Sequence, residues 1–197
     1  MKSVLISINP KWCELIASGK KTVEVRKTRP KLEPPFKCYI YCTKGRGDCL
    51  WRWDGIWYDT QFPNERPNRL DGKVIGEFVC NRIDYIGWTS NPTKLDWKNA
   101  YNKHSCLTNN QLYDYTNGDC FYEWHISDLV IYDNPRELSE FFHYCGDNPN
   151  CDGCEAHYYS NTECGKEDYC CSPIEGCKPI KRPPQSWCYV ERSENGT

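Results

Sequence analysis

The feature that most constrains this chain is the run from Lys2 to Arg26, which reads as strand, helix, glycine stop and second strand in quick succession. Lys2 to Ile8 alternates Val4, Ile6 and Ile8 against Ser3, Leu5 and Ser7, a period-two pattern with one face better buried than the other. Asn9 has the side chain of a helix N-cap. Pro10 suits the first helical position, where its missing N–H would find no helical acceptor anyway. Trp12, Leu15 and Ile16 recur at helical spacing, and Gly19 supplies the stop. In the strand that follows, Glu24 and Arg26 share one face while Val23 and Val25 share the other. Lys21, at the strand entry, can reach over the charged face. A lysine, a carboxylate and a guanidinium beside a glycine turn suit an anion or a polar heterocycle. The same spacing also describes a partly exposed ion pair of Glu24 with Arg26 or Lys21, which stabilises little.

Beyond this run, strand signals dominate. Pro30, Pro34 and Pro35 interrupt the chain before Phe36 to Thr43, an aromatic and β-branched core strand. Lys44 to Asp71 is rich in Gly, Asp and Asn and carries Trp51, Trp53 and Trp57, which reads as a hairpin or an excursion from the core. Lys73 to Gly87 is a long strand. Residues 88–119 are polar and irregular, with room for a short helix. Cys120 to Tyr132 is again a strand. Asn134 as cap, Pro135 at the first position and Glu137 as capping-box partner predict a second short helix through Phe142. After Pro183 and Pro184, Ser186 to Glu191 reads as a closing strand. Six or more short strands with two short helices, and no βαβ alternation, place the chain in the α+β class, as a mixed barrel with short flanking helices.

The 197 residues suffice for one buried core plus a small appendage. Their net charge of −2 conceals an asymmetry: residues 1–53 hold 12 Lys/Arg against 4 Asp/Glu, and the remainder 13 against 23. A basic N-terminal part on an acidic chain suits a localised phosphate-binding face, although ordinary solvated lysines would show the same count. Mean hydropathy is −0.80, and no apolar run approaches the roughly 20 residues that cross a bilayer. The apolar start is too short for a secretory signal, so a cytoplasmic location is expected.

Fifteen cysteines are the other anomaly. Without a signal peptide a disulfide framework fits poorly, and clustered cysteines point to metal. Seven of them, Cys145, Cys151, Cys154, Cys164, Cys170, Cys171 and Cys177, fall within 33 residues. Cys151-Asp-Gly-Cys154 has the knuckle spacing that aims two thiolates at one ion, and the others can complete one or two tetrahedral zinc sites, with His143 and His157 in reserve. The expected role of the zinc is structural, because the segment has few aliphatics to order it otherwise. Disulfides or a redox or iron–sulfur role are the alternatives. Residues 145–177 are thus read as a zinc-binding insertion between 1–144 and 178–197, which form the barrel. Cys38, Cys42, Cys80 and Cys188 sit in strand patterns and read as buried hydrophobes.

Gly19-x-Lys21-x-x-Glu24-x-Arg26 resembles the GxKxxExR signature of the ASCH domain family, a branch of the PUA-like superfamily. Ile8-x-Pro10, the Tyr39 to Thr43 strand and Val74-Ile75-Gly76-Glu77 are similar to its flanking segments. The resemblance implies a small β-barrel with a cleft lined by these residues, and RNA or a modified nucleobase as partner. For some members it implies RNA cleavage, and for a compact bacterial branch hydrolysis of an acetylated cytidine amide. That branch matches at Lys21 and Glu77 but carries a threonine where Glu24 stands, so recognition is the first expectation and hydrolysis the second. In recognition, Trp12, Lys21, Glu24, Arg26, Glu77 and Trp187 bind the ligand, with Trp12, Trp187 or Tyr189 as a stacking platform. In catalysis, Lys21 is a base or electrostatic stabiliser with its pKa lowered by burial and Arg26, and Glu77 or Glu24 handles protons. A third expectation is a protein-interaction module built on the zinc segment and exposed tryptophans.

Overall fold

The computed structural model describes residues 2–44, 50–53, 56–59, 70–87, 104–144 and 179–192. All seven cysteines proposed as zinc ligands lie outside these residues, as does His157. Strand β1 (Ser3–Ile8) leads into helix α1 (Pro10–Ala17), whose cap is Asn9: its side chain accepts the Lys11 N–H. Gly19, at a φ of +72°, ends the helix in the left-handed region that glycine adopts without strain. Strand β2 (Val23–Arg26) follows, then β3 (Phe36–Cys42) and a hairpin of β4 (Leu50–Trp53) and β5 (Ile56–Asp59). Next come β6 (Val74–Ile86), helix α2 (Asn109–Thr116), β7 (Phe121–Arg136), β8 (Phe141–His143) and β9 (Trp187–Arg192). Among the described residues, no helix is long and apolar enough to cross a membrane.

Seven strands form one mixed sheet in the order β2-β7-β6-β3-β1-β9-β8, in which β1 and β3 are parallel and the other neighbours antiparallel. The sheet curls strongly. In strand order β2 and β1 are four places apart, yet the Arg26 Nη2 donates to the Ser7 carbonyl at 2.6 Å. The fold is of the α+β class.

All six residues of β1 are buried, which corrects the expectation that one of its faces is better buried than the other. Val4, Ile6 and Ile8 join Cys13 and Ile16 of α1, Ile40, Phe78 and Trp124 in the largest core cluster. Leu5 turns the other way, into a second cluster with Tyr39, Val74, Phe141 and Val190. A third, of Val25, Leu112 and Phe121, seats α2 on the sheet. At about 1.5–3 kcal/mol per fully buried large apolar side chain, such burial anchors each element. Gly76 permits the close approach of β6 and β7, because a Cβ there would strike the Val130 carbonyl.

The helix expected from Asn134 to Phe142 does not form. Strand β7 runs on to Arg136, paired with Val74, and leaves only a 3-10 turn at Leu138–Glu140. Ladder pairing with β6 claims the backbone that Asn134 and Pro135 would have started as a helix. The capping box is present three residues later, between Glu137 and Glu140.

Candidate functional site

The local fold brings the motif to one place. Gly19 turns the chain so that Lys21 N–H bonds back to Leu15 O, and the Thr22 and Val23 amides both donate to His104 O. Lys21 is 2% exposed, and its Nζ donates to Val23 O and to Ser105 O at 2.7 Å each. The ammonium thereby ties the entry of β2 to the segment before α2. Glu24 lies between two cations, with Oε1 3.1 Å from Arg26 Nη2 and Oε2 3.3 Å from Lys21 Nζ. The expected surface ion pair is therefore a buried triad, whose net formal charge is +1. Alignment is incomplete. Glu24 Oε2 and Arg26 Nε are buried without a hydrogen-bond partner, as is the indole Nε1 of Trp124, which faces Glu24 across the β2–β7 ladder. Each buried orphan costs about 1–3 kcal/mol unless a water or ligand group satisfies it.

Above the triad opens a cavity of about 450 Å³, within the range of small-molecule sites. Trp12 of α1, Lys21, Glu24 and Arg26, and Asp114 and Tyr115 of α2 line it. Lys21 Nζ stands 5.5 Å from the centroid of the Trp12 ring. Four of the six expected binding residues thus meet.

Glu77 and Trp187 do not line this cavity. Glu77 pairs with Tyr39 across β3–β6 and lies on that strand's other face, where it accepts from Lys37 Nζ at 2.7 Å and from the Tyr132 hydroxyl at 2.6 Å. The β6–β7 ladder shifts register at three places, between Val74 and Gly76, Glu77 and Val79, and Cys80 and Arg82, which is why side-chain parity could not be counted through from the sequence. Trp187 packs against Trp124 at 6.0 Å and Tyr189 at 5.4 Å, and its Nε1 donates to Thr28. Tyr189 in turn accepts from the Lys31 amide through its hydroxyl. These aromatics brace the sheet. Sequence reasoning missed Asp114 and Tyr115, although the capping box Thr108-x-x-Gln111 that starts their helix was a readable signal.

Cys38, Cys42 and Cys80 are fully buried, as their strand patterns implied, and so is Cys13 of α1, whereas Cys188, expected to be buried too, is half-buried. Burial, then a hydrogen bond with Cys42, pushes Cys13 well above its ordinary pKa, and burial raises Cys38 likewise. On the outer face of β6 and β7, ligand atoms of Asp84, Glu123 and His125 lie within 4.8 Å of one another. Arg82 Nη2 already stands 3.0 Å from both Asp84 Oδ2 and His125 Nε2 and supplies their positive charge.

The sequence matches the ASCH domain family over residues 6–142, more than half the chain. The chain belongs to the ASCH domain family. ASCH domains are generally thought to bind RNA. Among solved structures, the ASCH protein of Zymomonas mobilis is similar at 18% identity and a TM-score of 0.51, covering 96% of this chain and 87% of that one. A serine-to-alanine variant of the Zymomonas mobilis protein gives 18% identity and a TM-score of 0.50 over 96% and 88%. Likeness at this identity shows the fold alone. No curated protein matches the sequence significantly. The family match ends at residue 142, so strand β9 and the cysteine-rich segment lie beyond it.

Proposed function

We propose that this ASCH domain recognises RNA through one nucleobase, plain or modified, seated in the cavity over Lys21, Glu24 and Arg26. The supporting observation is the buried triad that leaves Glu24 Oε2 and Arg26 Nε without a hydrogen-bond partner beneath an aromatic-walled cavity. One acceptor and one donor complement the edge of a polar heterocycle. Because Glu24 offsets one of the two cations, the floor suits a neutral base better than a phosphate carrying full charge. Phosphates belong outside, along the basic N-terminal part, with Lys11 Nζ 5.0 Å from the Trp12 centroid and Lys27 Nζ 5.4 Å from that of Tyr115. Recognition fits better than hydrolysis here. Lys21 is tied to two carbonyls and Glu77 stands on another face, so of the two expected proton handlers only Glu24 lies beside Lys21.

Titration of a labelled single-stranded RNA, followed by anisotropy at several salt concentrations, tests this. Binding that weakens with salt and is competed by free nucleosides supports it. Absence of binding at low salt removes it.

For residues 145–177 we propose structural zinc, on the spacing of the cysteines alone. Elemental analysis of the protein purified without added metal is expected to give one or two zinc ions per chain, and a metal-free folded protein would contradict that.

A further inference from the structure

Helix α2 brings to the cavity three side chains that the triad does not use. Leu112 and Thr116 turn into the core, leaving Gln111, Asp114 and Tyr115, at i, i+3 and i+4, on the face that lines the cavity. Each has a defined chemistry. The Gln111 amide oxygen accepts the Thr108 N–H at 3.0 Å within the capping box, so the group it has left to offer is its NH₂ donor. Asp114 is exposed and, among the described residues, its side chain enters no hydrogen bond or ion pair, so its carboxylate is a free acceptor. Tyr115 presents a ring at the mouth, with the Lys27 ammonium over it.

Resting on the recognition reading above, we infer that α2 selects the base: Asp114 accepts from an exocyclic amino group. The cleft therefore takes amino-bearing nucleobases, of adenine or cytosine type, in preference to uracil or hypoxanthine. In the latter pair a carbonyl replaces the amino group. A carbonyl oxygen facing a carboxylate sets acceptor against acceptor and leaves Asp114 desolvated and unpaired, a built-in penalty on the wrong base. The donors at the floor and on Gln111 meet ring acceptors, which both classes of base possess, so they add affinity without this discrimination. Tyr115 adds stacking, which every base satisfies.

Matched pairs isolate the amino group: cytidine against uridine and adenosine against inosine, each competed against the labelled RNA. The amino member of each pair is expected to bind about tenfold tighter. Asp114→Asn, whose amide can also donate to a carbonyl, is expected to bring that ratio to near one. Asp114 lies on the exposed surface of α2, and an unchanged circular dichroism spectrum checks that the variant is folded. Tyr115→Ala is expected to weaken both members of a pair alike. Equal affinities within each pair for the unaltered protein, or a preference that survives in Asp114→Asn, overturns the role of Asp114 while leaving recognition standing. Failure of every nucleoside and of the RNA removes the recognition reading and this inference together.

Discussion

Two carboxylates that carry the ASCH resemblance, Glu24 of the motif and Glu77 of a flanking segment, end in opposite circumstances. Glu24 is 8% exposed in its side chain and sits between two buried cations under a cavity. Glu77 is 18% exposed and its partner Lys37 43%, and neither lines the cavity over the triad. The same residue type, in the same small domain, is a buried charge on one face and a bracing contact on the other. The difference lies in what the sheet's curl encloses: β2 is folded inward toward Ser7, whereas the Glu77 face of β6 looks outward past Tyr132. Motif membership therefore does not assign a role, and burial separates the two.

Breaking the buried side has the largest expected effect. Glu24→Ala leaves Lys21 and Arg26 buried with no counter-charge, and removing one partner of such a group costs roughly 3–5 kcal/mol of stability. Urea unfolding measures it, and a loss under about 1 kcal/mol would show that water already screens the triad. Lys21→Met comes next. It leaves the Val23 and Ser105 carbonyls without the ammonium, at about 1–3 kcal/mol each. Hydrogen exchange should then quicken at Thr22 and Val23, whose amides bond His104 O in the segment Lys21 ties down. On the other face, Lys37→Ala is expected to cost about 1 kcal/mol or less, as exposed pairs do.

Sequence reasoning reached the buried side of this comparison more surely than the exposed side. Asn9, Pro10 and Gly19 carry local signals for cap, first turn and stop, and the structure uses all three. The strand expected from Lys21 to Arg26 therefore falls at Val23–Arg26. The triad's burial was not legible, because it depends on β1, four strands away, curling back to meet Arg26. Nor was the separation of Glu77, since bulges are products of pairing and leave no period in the chain. Asn134 and Pro135 spoke for a helix, and the longer ladder with β6 overrode them. Asp114 and Tyr115 were hidden in a polar stretch whose helix shows only in its capping box.

The final contrast appears at high pH. Burial raises Cys80 from 9.0 to about 12 and Cys188 to about 11. Above pH 9.0 the unfolded chain releases these protons while the folded one keeps them, so the unfolded state binds fewer protons and stability falls as pH rises from about 9 toward 12. Below pH 9 the two thiols leave stability unchanged. Urea midpoints between pH 8 and 11 check the slope, and Cys80→Ala is expected to flatten it.

The central claim is that the cavity over the triad, and not the Glu77 face, receives a nucleobase. Amide and indole chemical shifts recorded during titration with adenosine or single-stranded RNA test it without any substitution. The account predicts shifts at the Trp12 indole, at Lys21 to Arg26 and along Asn109–Thr116, with Lys37, Glu77 and Tyr132 unmoved. Shifts centred on Lys37, Glu77 and Tyr132, with α2 and β2 unchanged, would contradict it.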